Sequence, residues 1–217
     1  MTLKSETNQT YHHGDLRQGF IDAACAQLRR ASADQLSLRA LARDLGVSQT
    51  AAYRHFDSKN ALFAAIATQG FEMLTAALAS AAAAHKDDAA VTLVDVGLAY
   101  VHWALRYPER YQLLFDSSML EFSAYEDLNV ASANCFAVLL DLIKAGKAQG
   151  LFVDRPALLL AGIIWSSVHG LTSLLQKGTS ADMASRRTDA VPQALHALAN
   201  AQRPAMEMFL QGIRRQA

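Results

Sequence analysis

The chain has 217 residues, 52% of them apolar and 18% charged, with only 4 prolines; this excludes a disordered polymer and leaves room for one or two domains with a real core. Net charge is zero, which excludes a polycation, although residues 1–60 hold eight Lys/Arg against six Asp/Glu and the rest twelve against fourteen. The two cysteines, Cys25 and Cys135, lie in apolar periodic segments and read as buried thiols of a reducing cytoplasm, and MTLKSETNQTYHHGDL lacks the apolar run of a signal peptide.

Helical periodicity is continuous and no alternating strand pattern occurs, so an all-α fold is expected. A first helix runs from about Gly14 to Arg30, with Leu16, Phe20, Ala24 and Leu28 at every fourth position. Ser37 caps a second, whose Leu38, Leu41, Ala42 and Leu45 share a face, and Gly46 ends it by a left-handed turn. Ser48 caps a third, very short helix that ends near His55. Asp57 or Ser58 caps a fourth, from Lys59 through the alanine-rich stretch near 76–85. His85 to Asp88 mark a break.

A helix then runs from about Ala90 to Arg106 and stops before Pro108, because the residue preceding proline avoids helical angles. Pro108 starts a short helix through Phe115, and another spans about Ala124 to Gln149, stopped by Gly150. Asp154 caps a long apolar helix, which Gly178 ends. After a polar loop at 178–189 helix resumes near Ala190, with an interruption or kink at Pro204. Residues 156–176, PALLLAGIIWSSVHGLTSLLQ, are about 31 Å long as a helix and match a bilayer in length. Ser166, Ser167, His169 and Thr172 make that segment a poor membrane anchor; a helix apolar all round is also how a buried interface helix reads. The expected architecture is an N-terminal three-helix head, residues 1–60, and a larger helical body, residues 61–217.

The stretch SLRALARDLGVSQTAAYRHF (37–56) joins two helices through a tight turn containing glycine, the pattern of a helix-turn-helix. On a helical wheel Ala52 and Phe56 point together into the head's core, while Thr50 and Arg54 point the other way. Ala51 and Tyr53 lie on the flanks. This slim, singly basic face suits a major groove, where Arg bonds guanine edges in pairs and Thr offers a hydroxyl or methyl. Tyr53 and His55 suit phosphate contacts, as do Lys59, Ser37, Arg39, Ser48 and Gln49.

YHHGDLRQGFIDAA (11–24) and LSLRALARDLGVSQTAAYRHFDSKNALF (36–63) resemble the TetR-type family of bacterial transcriptional regulators. Gly46-Val47-Ser48, Tyr53-x-His55-Phe56 and Lys59-x-x-Leu62 carry the resemblance. It implies a homodimer that places helix three in successive major grooves of a near-palindromic double-stranded operator. It also implies a C-terminal domain that binds a small ligand and pairs the subunits, with repression released by ligand. In the body, Trp165-Ser-Ser-Val-His169-Gly170 resembles the Trp-x-x-x-His-Gly signature of one C-terminal subclass, and AYVHWALRYPERYQLLF (99–115) is similar to the segment that accompanies it.

Trp103, Phe115, Phe122, Phe136, Trp165 and His169 are candidates to line a pocket for a mainly apolar effector, to be weighed against plain core packing. No carboxylate pair, Cys-His couple or metal-spaced cluster supports an enzyme, a cofactor or a metal. The rival readings are a helical cavity protein without DNA binding, as carrier or enzyme, and a membrane or partner-binding adaptor. The expected regulator is cytoplasmic and has no membrane partner. Ligand in its body shifts the fourth helix and so changes the separation of two heads that must match half-site spacing.

Overall fold

The computed structural model describes residues 13–84, 88–115, 122–178 and 189–214. Among them are ten α-helices and no strand, apart from an isolated antiparallel bridge between Phe152 and Arg214. The all-α expectation holds. The chain divides into two compact units, one ending at Ile66 and the other starting at Ala67.

In the first unit, α1 spans His13–Leu28, α2 Leu38–Asp44 and α3 Gln49–His55, and α4, Lys59–Ala82, begins here and continues into the second unit. Phe20, Ile21, Ala24, Leu41, Ala52 and Leu62 are almost wholly removed from water. Each large side chain among them contributes roughly 1.5–3 kcal/mol by burial. The ring of Phe20 meets that of Phe56 edge-on, 6.2 Å between centroids. Ser37 and Ser48 cap α2 and α3 as expected, accepting from the amides of Ala40 and Ala51 at 3.1 and 3.2 Å. Of the two candidates for the α4 cap, Ser58 takes it, accepting from Ala61 at 3.0 Å. A 3-10 turn at Ala33–Gln35 was not anticipated.

Gly46 has φ +70°. Its amide donates to the Arg43 carbonyl, and the Val47 amide reaches back to Ala42 at 2.9 Å. This pair of bonds closes the C-terminus of α2 and aims the chain into α3. Gly150, φ +72°, repeats the device after the helix at Glu126–Ala148 with bonds from Gly150 to Lys147 and from Leu151 to Gly146.

In the second unit α5 (Ala89–Arg106) is central. It packs against α7 (Glu126–Ala148), α8 (Ala157–Gly178) and α10 (Gln202–Gln211). Asp88 caps α5 through the amides of Ala90 and Val91. Helix α6, Pro108–Phe115, follows it directly, and α9, Ala190–Asn200, packs on α8.

Two expectations need correction. Asp154 does not cap α8: the helix starts at Ala157, and the Asp154 carboxylate instead accepts from Lys147 Nζ at 3.1 Å. The break near the end falls at Ala201, not at Pro204, which lies in the first turn of α10. Proline has no amide for the carbonyl four residues back and clashes with it, so the helix restarts upstream and takes Pro204 where no donor is missed. The polar loop at 179–188 lies outside the described residues.

Candidate functional site

Helix α3 is two turns long and its two sides differ sharply. Ala52 is fully buried and Phe56, just beyond the helix, nearly so. Gln49, Thr50, Tyr53 and Arg54 are exposed, with Tyr53 showing 47% of its surface. Tyr53 thus stands open beside Arg54, which has no acidic neighbour on its helix. The tight turn at Gly46 and the Ser48 cap orient this face.

The second unit contains a cavity of about 570 Å³, in the range that holds drug-sized ligands. Helix α4 supplies Phe71, Leu74 and Leu78, while α7 supplies Ser132, Cys135 and Phe136. Tyr100, Phe115 and Trp165 complete an aromatic wall. Behind it stands a polar cluster: the hydroxyls of Tyr111 and Tyr100 lie 2.8 and 3.2 Å from Nδ1 of His169. Burial pushes both tyrosine hydroxyls up from their ordinary range and the His169 imidazole down. Burial also pushes the Cys135 thiol up to about 11. All four groups are therefore neutral near pH 7, and no acidic or basic side chain lines the cavity among the described residues.

Residues 20–66 match the family model for bacterial regulatory proteins of the tetR family, and residues 93–199 match that of the tetracyclin repressor-like C-terminal domain. This chain belongs to the TetR family. Among solved structures, a protein of unknown function from Rhodococcus sp. RHA1 is 28% identical over 96% of this chain and 100% of its own, with a TM-score of 0.76. A protein assigned to the TetR family of transcription regulators from Shewanella sp. PV-4 is 20% identical over 92% and 98%, with a TM-score of 0.65. A fatty acid degradation regulator from Bacillus halodurans is 16% identical over 92% and 97%, with a TM-score of 0.69. No curated protein matches. As a TetR-family member the chain is a DNA-binding transcription regulator of the ligand-responsive kind, not an enzyme.

Of the DNA-contact candidates in this TetR-family head, Arg39, Gln49, Thr50 and Arg54 stand exposed, and Ala51 is half-buried. Ser37 and Ser48 spend their side-chain oxygens on caps. His55 is half-buried with its ring 6.4 Å from that of Phe20, which ties it to the core. Lys59 donates to the carbonyl of Ala33 at 3.3 Å and its ammonium lies over the Phe63 ring. Sequence reasoning missed this tether because the 3-10 turn that offers the carbonyl has no strong signal.

Of the pocket candidates, Phe115, Phe136 and Trp165 line the cavity. Trp103 does not. It is buried against Tyr107, at 5.8 Å between centroids, with no hydrogen-bond partner on its indole nitrogen among the described residues. Its position on α5 turns it into the core rather than the cavity. His169 stands behind the wall, stacked on Tyr111. The Phe122 side chain lies outside the described residues.

The sequence reading missed Tyr100, Tyr111 and the α4 contribution. The i, i+3, i+7 spacing of Phe71, Leu74 and Leu78 was a usable signal for one helix face; that the face looks onto a void was not. It also missed the buried pair Glu109 and Arg110 on α6, where Arg110 donates to Gln69 Oε1 at 3.2 Å.

Proposed function

We propose that this regulator is a repressor that binds a near-palindromic operator as a homodimer in the cytoplasm. Residues 1–60 read DNA and residues 61–217 bind the effector and pair the subunits. The observation that carries the reading is the two-sided α3: Thr50 and Arg54 face away from a helix side that Ala52 and Phe56 bury completely. Arg54 takes the guanine edge and Thr50 the neighbouring base. Ser37, Arg39, Ser48, Gln49, Tyr53, His55 and Lys59 hold the phosphates, with Ala51 allowing close approach.

The cavity supports an effector site in the second unit. Helix α4 runs without interruption from Lys59 to Ala82 and supplies one cavity wall, so a ligand that presses on Phe71, Leu74 or Leu78 acts on the helix that leads from the head. Release of DNA follows only if the ligand prefers the state with mismatched head spacing.

Pairing is supported by α8, one of three helices among the described residues that are long and apolar enough to cross a membrane by length and composition. Its outer side shows Leu158, Leu159, Ile163 and Leu174 to solvent. Between them lie Gly162, Ser166 and Gly170, and nothing stands within 4 Å of a Cβ added at either glycine. A stripe of large residues around a small-residue furrow suits close approach of another helix, and a second copy of the chain supplies one with the same stripe. The membrane reading of this face is tested by extraction without detergent.

The deciding experiment is capture of fragmented genomic DNA from the source organism on the pure protein, followed by footprinting. A protected near-palindrome with two equal halves is the expected result. No enrichment over random DNA at low salt would reject the reading in favour of a helical cavity protein.

A further inference from the structure

The polar groups in the described wall of the cavity already have partners. The Tyr100 hydroxyl is bonded to Tyr111 and Trp165 and lies 3.2 Å from Nδ1 of His169. Ser132 donates to the Asn129 carbonyl at 2.8 Å, and the Cys135 thiol is bonded to Thr75. These residues therefore offer an occupant carbon surface, and what they select by is shape and ring or chain contact.

That carbon surface is not uniform. Phe115 is the centre of an aromatic arc, its ring centroid 6.2 Å from Phe71, 6.4 Å from Tyr100 and 6.1 Å from Trp165. Phe136 extends the arc, edge-on to Trp165 at 6.2 Å. Tilted and edge-on rings present both edges and faces, so a further ring packed against them gains contact beyond its buried area.

Helix directions place two leucines together at the other end. Helix α6 lies against the earlier part of the cavity stretch of α4: Arg110 donates to Gln69 Oε1 at 3.2 Å, and a Cβ added at Gly70 would overlap Leu114. Helix α5 begins at Ala89, shortly after α4 ends at Ala82, and leads into α6, so it runs back along α4. The Ala89 amide donates to Gln149 Oε1 at 3.2 Å, at the C-terminus of α7. Thus α7 runs in the same sense as α4. Phe71 precedes Leu74 and Leu78 on one helix, and Phe136 precedes Leu139 on the other. Both walls pass from aromatic to aliphatic in the same direction. Phe71 and Leu78 are about 10 Å apart along the helix axis, room for a ring followed by a short chain.

We infer that the cavity takes an alkyl-substituted aromatic molecule, with its ring in the arc centred on Phe115 and its chain between Leu78 and Leu139. This rests on the reading of the cavity as the effector site.

The test is displacement of the fluorescent dye N-phenyl-1-naphthylamine from the full chain by ethylbenzene, butylbenzene and butylcyclohexane. In the wild type butylbenzene should bind roughly fifteenfold tighter than ethylbenzene, about fourfold for each added methylene. Phe136 and Leu139 are only half-buried, so substitutions there spare the core, and a melting curve checks each variant. Phe136→Leu should weaken both alkylbenzenes about fivefold and change butylcyclohexane less than about twofold, because only an aromatic guest loses the ring contact. Leu139→Trp should fill the chain end, weakening butylbenzene about tenfold and leaving ethylbenzene unchanged.

An equal loss of all three probes in Phe136→Leu would overturn the placement of the ring. A Leu139→Trp that weakens ethylbenzene as much as butylbenzene, or a wild type that gains less than about twofold from the longer chain, would overturn the placement of the chain. Failure of butylbenzene to displace the dye, or of both to bind, would overturn the ligand class. Footprinting of the same preparation, with and without butylbenzene, tests the effector reading separately. If the operator is protected and no probe binds, the ligand class is wrong and the regulator stands. If butylbenzene binds with the expected ratios and leaves the footprint unchanged, the ligand class stands and the effector reading falls.

Discussion

The hydroxyl of Tyr111 lies 2.8 Å from Nδ1 of His169, and the two rings stack with centroids 5.4 Å apart. A histidine so held also meets the rings of Phe115 and Trp165, at 4.7 and 6.2 Å between centroids, and has little room for a charge. Burial accordingly lowers its pKa below the ordinary 6.5.

A pH dependence follows from that relationship. The unfolded chain protonates His169 more readily than the folded one, so protons favour unfolding. The stability this residue contributes is complete above the unfolded value and is lost as pH falls below it, towards the lower folded value. Thermal melting from about pH 7.5 to about pH 5.5 should therefore show a steeper loss for the wild type than for His169→Asn. Parallel curves for the two proteins would show that the imidazole accepts its proton in the folded state at no cost.

DNA recognition separates into two kinds of variant. Arg54→Ala should weaken operator binding by about 1–3 kcal/mol and relax base choice at one position of each half-site. Tyr53→Phe and Lys59→Ala should weaken binding to operator and random DNA alike. Because Lys59 also donates to the Ala33 carbonyl, Lys59→Ala should lower the melting temperature slightly as well, which Tyr53→Phe should not. Binding isotherms on operator and random duplexes decide it: equal losses on both for Arg54→Ala would remove its base-reading role.

Two glycines answer a methyl group differently. At Gly46 φ is +70° and nothing stands within 4 Å of an added Cβ. Gly46→Ala thus costs only the left-handed backbone, about 1 kcal/mol, and Gly46→Asn should cost less. At Gly146 an added Cβ would overlap the ring of Phe152, which is itself buried. Gly146→Ala should cost about 1–3 kcal/mol through overpacking. Chemical denaturation should show Gly46→Asn least destabilised, Gly46→Ala next and Gly146→Ala most, and a neutral Gly146→Ala would mean that Phe152 is free to turn aside.

The head was legible residue by residue because its signals are local. Ser37, Gly46 and Ser48 each act through bonds to atoms within five residues, and Ala52 and Phe56 reach the core by helical periodicity alone. The cavity was only partly legible. Phe115, Phe136 and Trp165 announced themselves as aromatics, yet Trp103 carries the same signal and points into the core. Which apolar face meets a neighbour and which meets a void depends on how α4, α5, α7 and α8 are arranged, and periodicity does not encode that. The tie between Tyr100 and His169 spans 69 positions of chain, so no local pattern could reveal it. The break at Ala201 was misplaced for the opposite reason: Pro204 was a loud local signal, but its effect falls upstream of the residue itself.

The outer side of α8 gives the last prediction. Gly170 is half-buried and an added Cβ there meets open space, so Gly170→Leu should leave the fold of the single chain intact. The residue lies in a furrow flanked by exposed Ile163 and Leu174, 46% of each open to solvent. If a second copy seats its α8 there, a leucine holds the two backbones apart and the loss of contact costs most of the pairing energy, since small residues permit the approach. Sedimentation should then show the wild type as a dimer and Gly170→Leu as a monomer at the same concentration. Far-ultraviolet dichroism of the variant should be unchanged, and its operator binding should drop because two half-sites are no longer read together. A Gly170→Leu protein that remains dimeric would move the pairing surface off this side of α8. A wild type that is monomeric would leave Leu158, Leu159 and Ile163 without a second copy to cover them.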